Sequence, residues 1–305
     1  MAWQVSLPSF HTLPFFGEFL ALSNAILWSI AVIILKKAGL YVRPIALNLF
    51  KLCIGFSFLM LTLLMMGQEL FLEAPWQDYF LFCISGIMGI AIADTLFLKA
   101  LNILGASRIA LVDCLYSPFI MVFSYFILGE SMTLLGGFGA MLILASIPLT
   151  SKDHRKNPIN LREFITGSLI GALSMALMGF GIVMVKPLLS HYPVFWVTTL
   201  RTLAGLICLS LWTLVLPDRK QIWSIFKPQA AWKLAFPSCF LASYPSMLLW
   251  VGSFAYAKAN IAALLTQVNV VLTVLLAAPF LGEPLTRNKI LAMICAFLGV
   301  MMILW

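Results

Sequence analysis

Two stretches of this 305-residue chain end alike. Residues 100–133 close on Leu128-Gly129-Glu130 with Thr133 behind, and residues 253–286 close on Leu281-Gly282-Glu283 with Thr286 behind. A displacement of 153 positions superposes them without a gap and lays Ala106, Ala110 and Leu111 on Ala259, Ala263 and Leu264. A displacement of 150 positions does the same for the earlier parts: Lys36 falls on Lys186, Lys51 on Arg201 and Gly55 on Gly205. The chain is therefore two related halves of about 150 residues.

Each half holds five apolar stretches. A helix needs about 20 apolar residues to cross the hydrocarbon core. The pattern predicts spans at about 17–36, 44–66, 78–98, 106–127 and 133–150, then 164–186, 192–216, 234–257, 261–280 and 287–305. Two five-helix repeats are expected, over 17–150 and 164–305. An odd number of spans turns the second copy upside down in the bilayer. The expected fold is an all-α membrane protein with ten transmembrane helices in a 5+5 inverted-repeat bundle, a build found in secondary transporters.

Composition agrees. The chain is 62% hydrophobic and 10% charged, with a mean hydropathy of +1.04, whereas a soluble domain is nearer 25% charged. The net charge of +8 is no nucleic-acid footprint, because no basic stripe is interleaved with aromatics. The Lys and Arg residues sit in short links instead. Fifteen lie in links 1–2, 3–4, 5–6, 7–8 and 9–10, among them Lys36, Lys37, Arg43, Lys99, Arg108, Lys152, Arg155, Lys156, Arg219 and Lys220. The other side carries Lys186 and Lys258. By the positive-inside rule the odd links face the cytoplasm, with both termini outside and the protein in the cytoplasmic (plasma or inner) membrane. Met1–Phe16 has no Lys or Arg and carries Pro8 and Pro14, so no cleavable signal is expected and the first span serves as the insertion signal.

Most metal, redox and hydrolytic chemistry is disfavoured. Cys53, Cys83, Cys114, Cys208, Cys239 and Cys295 lie in apolar spans without a C-x-x-C pair and read as packing residues. His11, His154 and His191 fall outside the spans, which argues against a buried histidine relay. No H-E-x-x-H or P-loop pattern occurs. No metal and no cofactor is expected. Gly167 with Gly171, and the cluster Gly136, Gly137, Gly139 and Ala140, predict close helix contacts. Pro118, Pro245 and Pro279 predict kinks, static or cavity-lining. Glu130 and Glu283 lie at turns, where an acid suits a positive helix end and Pro284 suits a first helical position.

Four charges stand inside hydrocarbon: Lys51, Asp94, Asp113 and Arg201. Each costs roughly 2.5–3.5 kcal/mol on insertion scales, so a polar interior is their usual destination. Lys51 either snorkels to the interface or faces a cavity. Arg201 occupies its repeat-equivalent place. Asn48 and Thr198 lie one turn before the two cations on the same faces. Either aspartate can neutralise Lys51. Tyr116 shares a face with Asp113, and the second half has Thr266, Gln267 and Asn269 in the matching stretch. No acid of the second half obviously pairs with Arg201, which either reaches an acid of the first half or leaves room for a ligand's negative group. Trp28, mid-span beside Asn24 and Ser29, fits a pocket wall or simple packing.

These residues together resemble the drug/metabolite transporter superfamily, in particular its ten-helix EamA-type members, over residues 17–305 as two tandem EamA units. The family's W-[GS] pair, trailing basic residue, proline and early second-helix arginine correspond to Trp28-Ser29, Lys36, Pro44 and Lys51. The second copy keeps Lys186 and Arg201 but has Met178-Gly179 and Val194, and the L-G-E turn is present twice. Lys51 departs from the usual arginine and lacks its planar fork. The loop charges depart as well, since family members are usually drawn with cytoplasmic termini.

The resemblance implies transport of small organic metabolites by alternating access, with the substrate near the midplane between the halves. The expected binding set is Lys51, Arg201, Asp94, Asp113, Tyr116, Asn48, Thr198, Gln267, Asn269 and Trp28. The cations would orient anionic groups, and the aspartates would pair with them or bind an ammonium group or a proton. An amino acid or similar zwitterion fits this mixed set. The expected partners are a small-molecule substrate, the lipid bilayer and protons as a candidate coupling ion, with no nucleic acid. The sequence sets no oligomeric state. The rivals are an intramembrane enzyme using Asp94 and Asp113, whose Y-D and G-x-G-D signatures are absent, and a non-transporting membrane scaffold.

Overall fold

A computed structural model describes residues 15–131, 133–150 and 159–304. The amino-terminal stretch read for a signal, His11, His154, and Lys152, Arg155 and Lys156 of the central link lie outside the described residues. Among the described residues the chain is helical, with no strand. Eight helices are long and apolar enough to cross a membrane: Phe16–Ala38 (α1), Pro44–Met65 (α2), Trp76–Leu104 (α3), Ala106–Leu128 (α4), Leu161–Ser190 (α6), Val194–Val215 (α7), Trp232–Tyr256 (α8) and Ile261–Leu281 within α9. Two shorter helices, Leu134–Ser146 (α5) and Arg287–Leu304 (α10), end the two halves. The α-helix expected at 133–150 ends at Ser146 because Pro148 has no N–H for the carbonyl one turn back, and a 3-10 turn over Pro148–Thr150 follows.

Local signals set the ends. Pro44 stands in the first turn of α2, where its missing N–H costs nothing. Asn160 and Glu163 form a reciprocal capping box that starts α6. At the end of α1, Lys36 Nζ donates to the carbonyls of Leu101 and Asn102 (3.1 and 3.0 Å). At the end of α6, Lys186 Nζ donates to Phe254 and Ala257 (both 2.9 Å). Repeat-equivalent lysines thus hold the carboxyl ends of α3 and α8, where carbonyls lack intrahelical partners.

Packing follows a pseudo-two-fold axis. Helix α1 packs on α8 as α6 packs on α3, and α2 on α8 as α7 on α3. Helix α1 packs on α9 as α6 packs on α4, while α2 meets α7, α4 meets α9 and α5 meets α10 across the axis. The α5–α10 pair crosses backbone to backbone, since a methyl on Gly139 would overlap the Gly299 carbonyl. Facing outward, α1 exposes Phe19, Leu22, Ile26 and Ile30 while burying Ala21, Ala25 and Ala31. Large apolar residues outside and small ones inside suit a helix bathed in lipid tails.

Four helices are irregular at mid-height, in repeat-equivalent pairs. Helix α3 widens to a π-helical stretch at Ile87–Ile92, and α8 breaks at Tyr244, between Trp232–Ser243 and Pro245–Tyr256. Helix α4 breaks after Asp113 and resumes at Tyr116, and α9 breaks at Gln267, between Ala259–Thr266 and Val268–Leu281. Pro245 explains the break in α8 through its restriction of Tyr244. Pro118 explains that in α4, because it cannot donate to the Cys114 carbonyl one turn back. The third expected proline, Pro279, lies inside a continuous segment of α9. The Gln267 break has no proline, and nothing in the local sequence accounts for it.

Candidate functional site

The four irregular stretches surround one cavity. It lies between the halves and holds about 60 Å³ of water-accessible space, room for a few waters in this state. The first half contributes Asn24 and Trp28 from α1, Gly89 and Asp94 from α3, and Asp113 and Tyr116 from α4. The second contributes Met178 from α6, Ser246, Met247 and Trp250 from α8, and Thr266, Gln267 and Asn269 from α9. Irregular backbone at membrane depth is tolerated where it lines such a cavity, and broken helices in both repeats mark the ligand site of inverted-repeat transporters.

The two mid-span cations meet different fates. Lys51 is 2% exposed and forms a buried ion pair with Asp94, 4% exposed. That contact settles which aspartate neutralises it and leaves no room for snorkelling. Arg201 is fully buried. Its Nε donates to Ser85 Oγ (2.9 Å), and its guanidinium lies 5.5 Å from the centre of the Trp250 ring, a cation–π arrangement. Nη1 and Nη2 have no hydrogen-bond partner among the described residues. Carried back to Asp94, the displacement of 153 positions falls on Met247, and among the described residues no acid stands within ion-pair distance of Arg201, though Asp94 acts on it from farther off.

Asp113 belongs to neither cation's hydrogen-bond set. Its Oδ2 accepts from Asn269 Nδ2 (3.1 Å), and its backbone carbonyl accepts from Gln267 Nε2 (3.2 Å). These bonds cross from α4 to α9 at the two breaks, so they join the halves where the helices are weakest. Ser29 Oγ reaches the Asn269 carbonyl (3.0 Å) from α1, and Ser246 Oγ donates to Asn24 Oδ1 (2.6 Å) from α8. Trp28 packs against Phe97 with ring centres 5.5 Å apart, and Tyr116 lies between Trp250 and Phe254 at 6.5 and 6.4 Å. The cavity is thus aromatic-walled, with the lysine-paired Asp94 and the amide-held Asp113 on its lining and an arginine fork behind its wall.

Trp28, Asp94, Asp113, Tyr116, Gln267 and Asn269 are brought together on the lining, with Lys51 behind Asp94. Asn48 and Thr198 lie elsewhere. Asn48 Nδ2 donates to the Ile90 and Ala91 carbonyls (3.1 Å each) and to Thr95 Oγ1 (2.9 Å), which braces the π-helical stretch of α3. Thr198 Oγ1 donates to the Val194 carbonyl (2.7 Å) one turn back in its own helix. Sequence reasoning missed Ser246, Met247 and Trp250 as lining residues. Their only signal is that α8 breaks at Pro245, which aims the following turn at the axis. All six cysteines are free.

Comparison with known proteins agrees with this architecture. A model of the EamA-like transporter family matches residues 15–152 and again 165–305. No curated protein matches the chain. Among solved structures, one crystal structure of a protein superposes with a TM-score of 0.69 at 18% identity, covering 94% of this chain and 95% of its own; at that identity it speaks to the fold alone. With the family match spanning both halves, the chain belongs to the EamA-like transporter family and is a multi-pass membrane transporter of small molecules.

Proposed function

We propose that the protein carries a small organic solute bearing an anionic group, an amino acid or similar zwitterion, by alternating access about the pseudo-two-fold axis. One observation carries this reading: the two unpartnered Nη groups of the buried Arg201. A buried charged donor without a partner forfeits its desolvation cost, about 1–3 kcal/mol or more, and an incoming carboxylate can accept from both in a planar fork. The carboxylate of Asp113, held by Asn269 rather than by a cation, supplies the complementary end for an ammonium group or a coupling proton. Trp28, Tyr116 and Trp250 offer apolar walls.

The enzyme alternative fares worse on geometry. Asp94 is committed to Lys51 and Asp113 to Asn269, and no hydrogen bond joins the two carboxyls among the described residues, as a proton-sharing dyad needs. A pure scaffold gives no reason for a charged cavity at the axis. Placement in the cytoplasmic membrane with both termini outside rests on the fifteen-to-two distribution of loop charge. An alkaline phosphatase fused after Trp305 is expected to be active, and a fluorescent fusion there that glows only in the cytoplasm contradicts the orientation. For the activity, reconstituted protein is expected to move solute across sealed vesicles unaltered; recovery of a cleaved or modified product dependent on Asp94 and Asp113 contradicts it.

A further inference from the structure

The two L-G-E turns are equivalent in sequence, but they are bonded differently. Glu283, at the end of α9, is 6% exposed. Its Oε1 and Oε2 accept from the backbone N–H groups of Ala106 and Ser107, both at 2.9 Å. These are the first amides of α4, so a carboxylate of the second half caps a helix of the first. Gly105 makes the approach possible: it has φ +85°, and a Cβ there would lie 2.8 Å from Oε1. Lys289 Nζ stands 3.9 Å from Oε2.

Glu130 has no such bonds. By repeat equivalence its targets are the amides of Ala259 and Asn260, which open α9. Among the described residues no hydrogen bond joins Glu130 to that helix start, and Glu130 Oε2 is buried without a hydrogen-bond partner. The carboxylate is nonetheless in place, near enough to Lys186 to act on it electrostatically. Lys186 in turn holds the Phe254 and Ala257 carbonyls of the same turn.

Position along α4 and α9 gives this asymmetry a consequence. On the solvent side of the Glu283 contact lies a polar recess of about 840 Å³ that includes Lys36, Gly105, Arg108 and Glu283. On its inner side lies the central cavity, which begins at Asp113 and Gln267. Between them, residues 106–112 are all buried, and α4 packs on α9. The Glu283 contact therefore pins the two helices together across a buried stretch that lies between recess and cavity.

We propose that Glu283 and Glu130 are a pair of alternately engaged latches, one for each end of the α4–α9 pair. With Glu283 on the Ala106 and Ser107 amides, the recess end is shut and Glu130 is disengaged. In the opposite state Glu283 leaves those amides, the recess joins the cavity, and Glu130 caps Ala259 and Asn260. Helix ends suit this task because their orphan amides are satisfied by a carboxylate in one state and by water in the other. The proposal rests on the alternating-access reading above, and its test is independent of any transported solute.

The test measures labelling of a single cysteine by a membrane-impermeant maleimide, in lipid nanodiscs, with the six native cysteines replaced. Reporters are Ala110→Cys, in the buried stretch at the recess end, and its repeat mate Ala263→Cys. Glu283→Ala is expected to speed labelling at the Ala110 position roughly tenfold or more, from the loss of two charge-assisted hydrogen bonds, and to slow it at the Ala263 position. Glu130→Ala is expected to slow labelling at the Ala110 position. If Glu283→Ala folds poorly, Glu283→Gln, which keeps one acceptor oxygen, is expected to shift both rates the same way by less. Faster labelling of both reporters together means general loosening and overturns the proposal, as does an unchanged rate at the Ala110 position or a faster one in Glu130→Ala. A failure of solute flux in vesicles with these rates as expected would count against the transport reading and leave the latches standing.

Discussion

Lys51 and Arg201 occupy the same place in two copies of one unit, and the molecule treats them oppositely. Lys51 has Asp94 beside it and is electrically complete. Arg201 has no acid within ion-pair distance among the described residues, Asp94 acting on it only from farther off, and two of its donors lack hydrogen-bond partners. Symmetry builds the scaffold, and the departure from symmetry marks the chemistry. A cation paired within its own repeat stabilises the fold, whereas one deprived of its pair is left for something that comes and goes. The planar fork stands at the unpaired position and the point-charge lysine at the paired one, as their bonding habits suit.

That contrast can be broken experimentally. The largest effect is expected from Lys51→Met, which strands the buried Asp94 carboxylate and costs about 3–5 kcal/mol. Folded yield and melting temperature should fall, and Asp94→Asn in the same chain should restore them; full yield from Lys51→Met alone would erase the distinction. Arg201→Met is expected to keep near-normal yield while solute binding drops about 10–100-fold, the worth of losing a charged hydrogen-bond pair at about 1.5–3 kcal/mol. Arg201→Lys should not rescue it, because a point charge lacks the fork. Gly86→Ala probes the backbone beneath the arginine: its methyl would overlap the Arg201 carbonyl where α3 meets α7. About 1–3 kcal/mol of thermal stability should be lost, with binding weakened as Arg201 shifts. Met247→Asp should be the mildest for stability, within about 1 kcal/mol of the parent, since completing a buried pair is close to neutral. It supplies the missing acid, so binding should vanish even though no cation was removed.

Much of the bundle was legible because it is written in periodicity. Duplicated L-G-E turns, apolar runs and an odd span count are local patterns, and they lead to the repeat, the helices and the family. The ions were legible too, since a charge in hydrocarbon is visible by its rarity. Which partner each charge takes was not. Lys51 had two candidate aspartates, and only the turn of α3 through its π-helical stretch brings Asp94 to it. Asn48 and Thr198 were placed on the cations' faces by helical spacing, yet their side chains are spent on carbonyls of α3 and of α7 itself. Ser246, Met247 and Trp250 escaped notice because neutral and aromatic residues in a span look like packing until the break at Tyr244 turns them inward. Glu283 was read as a turn residue, and it is one; that its carboxylate reaches across to the other half depends on tertiary geometry that no spacing encodes.

The central claim, that the broken pair at Arg201 is where a solute's anionic group binds, is tested most directly by ligand-dependent thermal stability. Purified parent protein and Arg201→Met would be screened side by side against amino acids, small carboxylates, and neutral and amine analogues of matched size. A ligand that binds the folded form raises its melting temperature. The account predicts that at least one carboxylate-bearing compound stabilises the parent, that its neutral analogue stabilises it less, and that Arg201→Met loses the shift while retaining its own melting temperature. Equal shifts in both proteins, or stabilisation only by amines and neutral compounds, would contradict it.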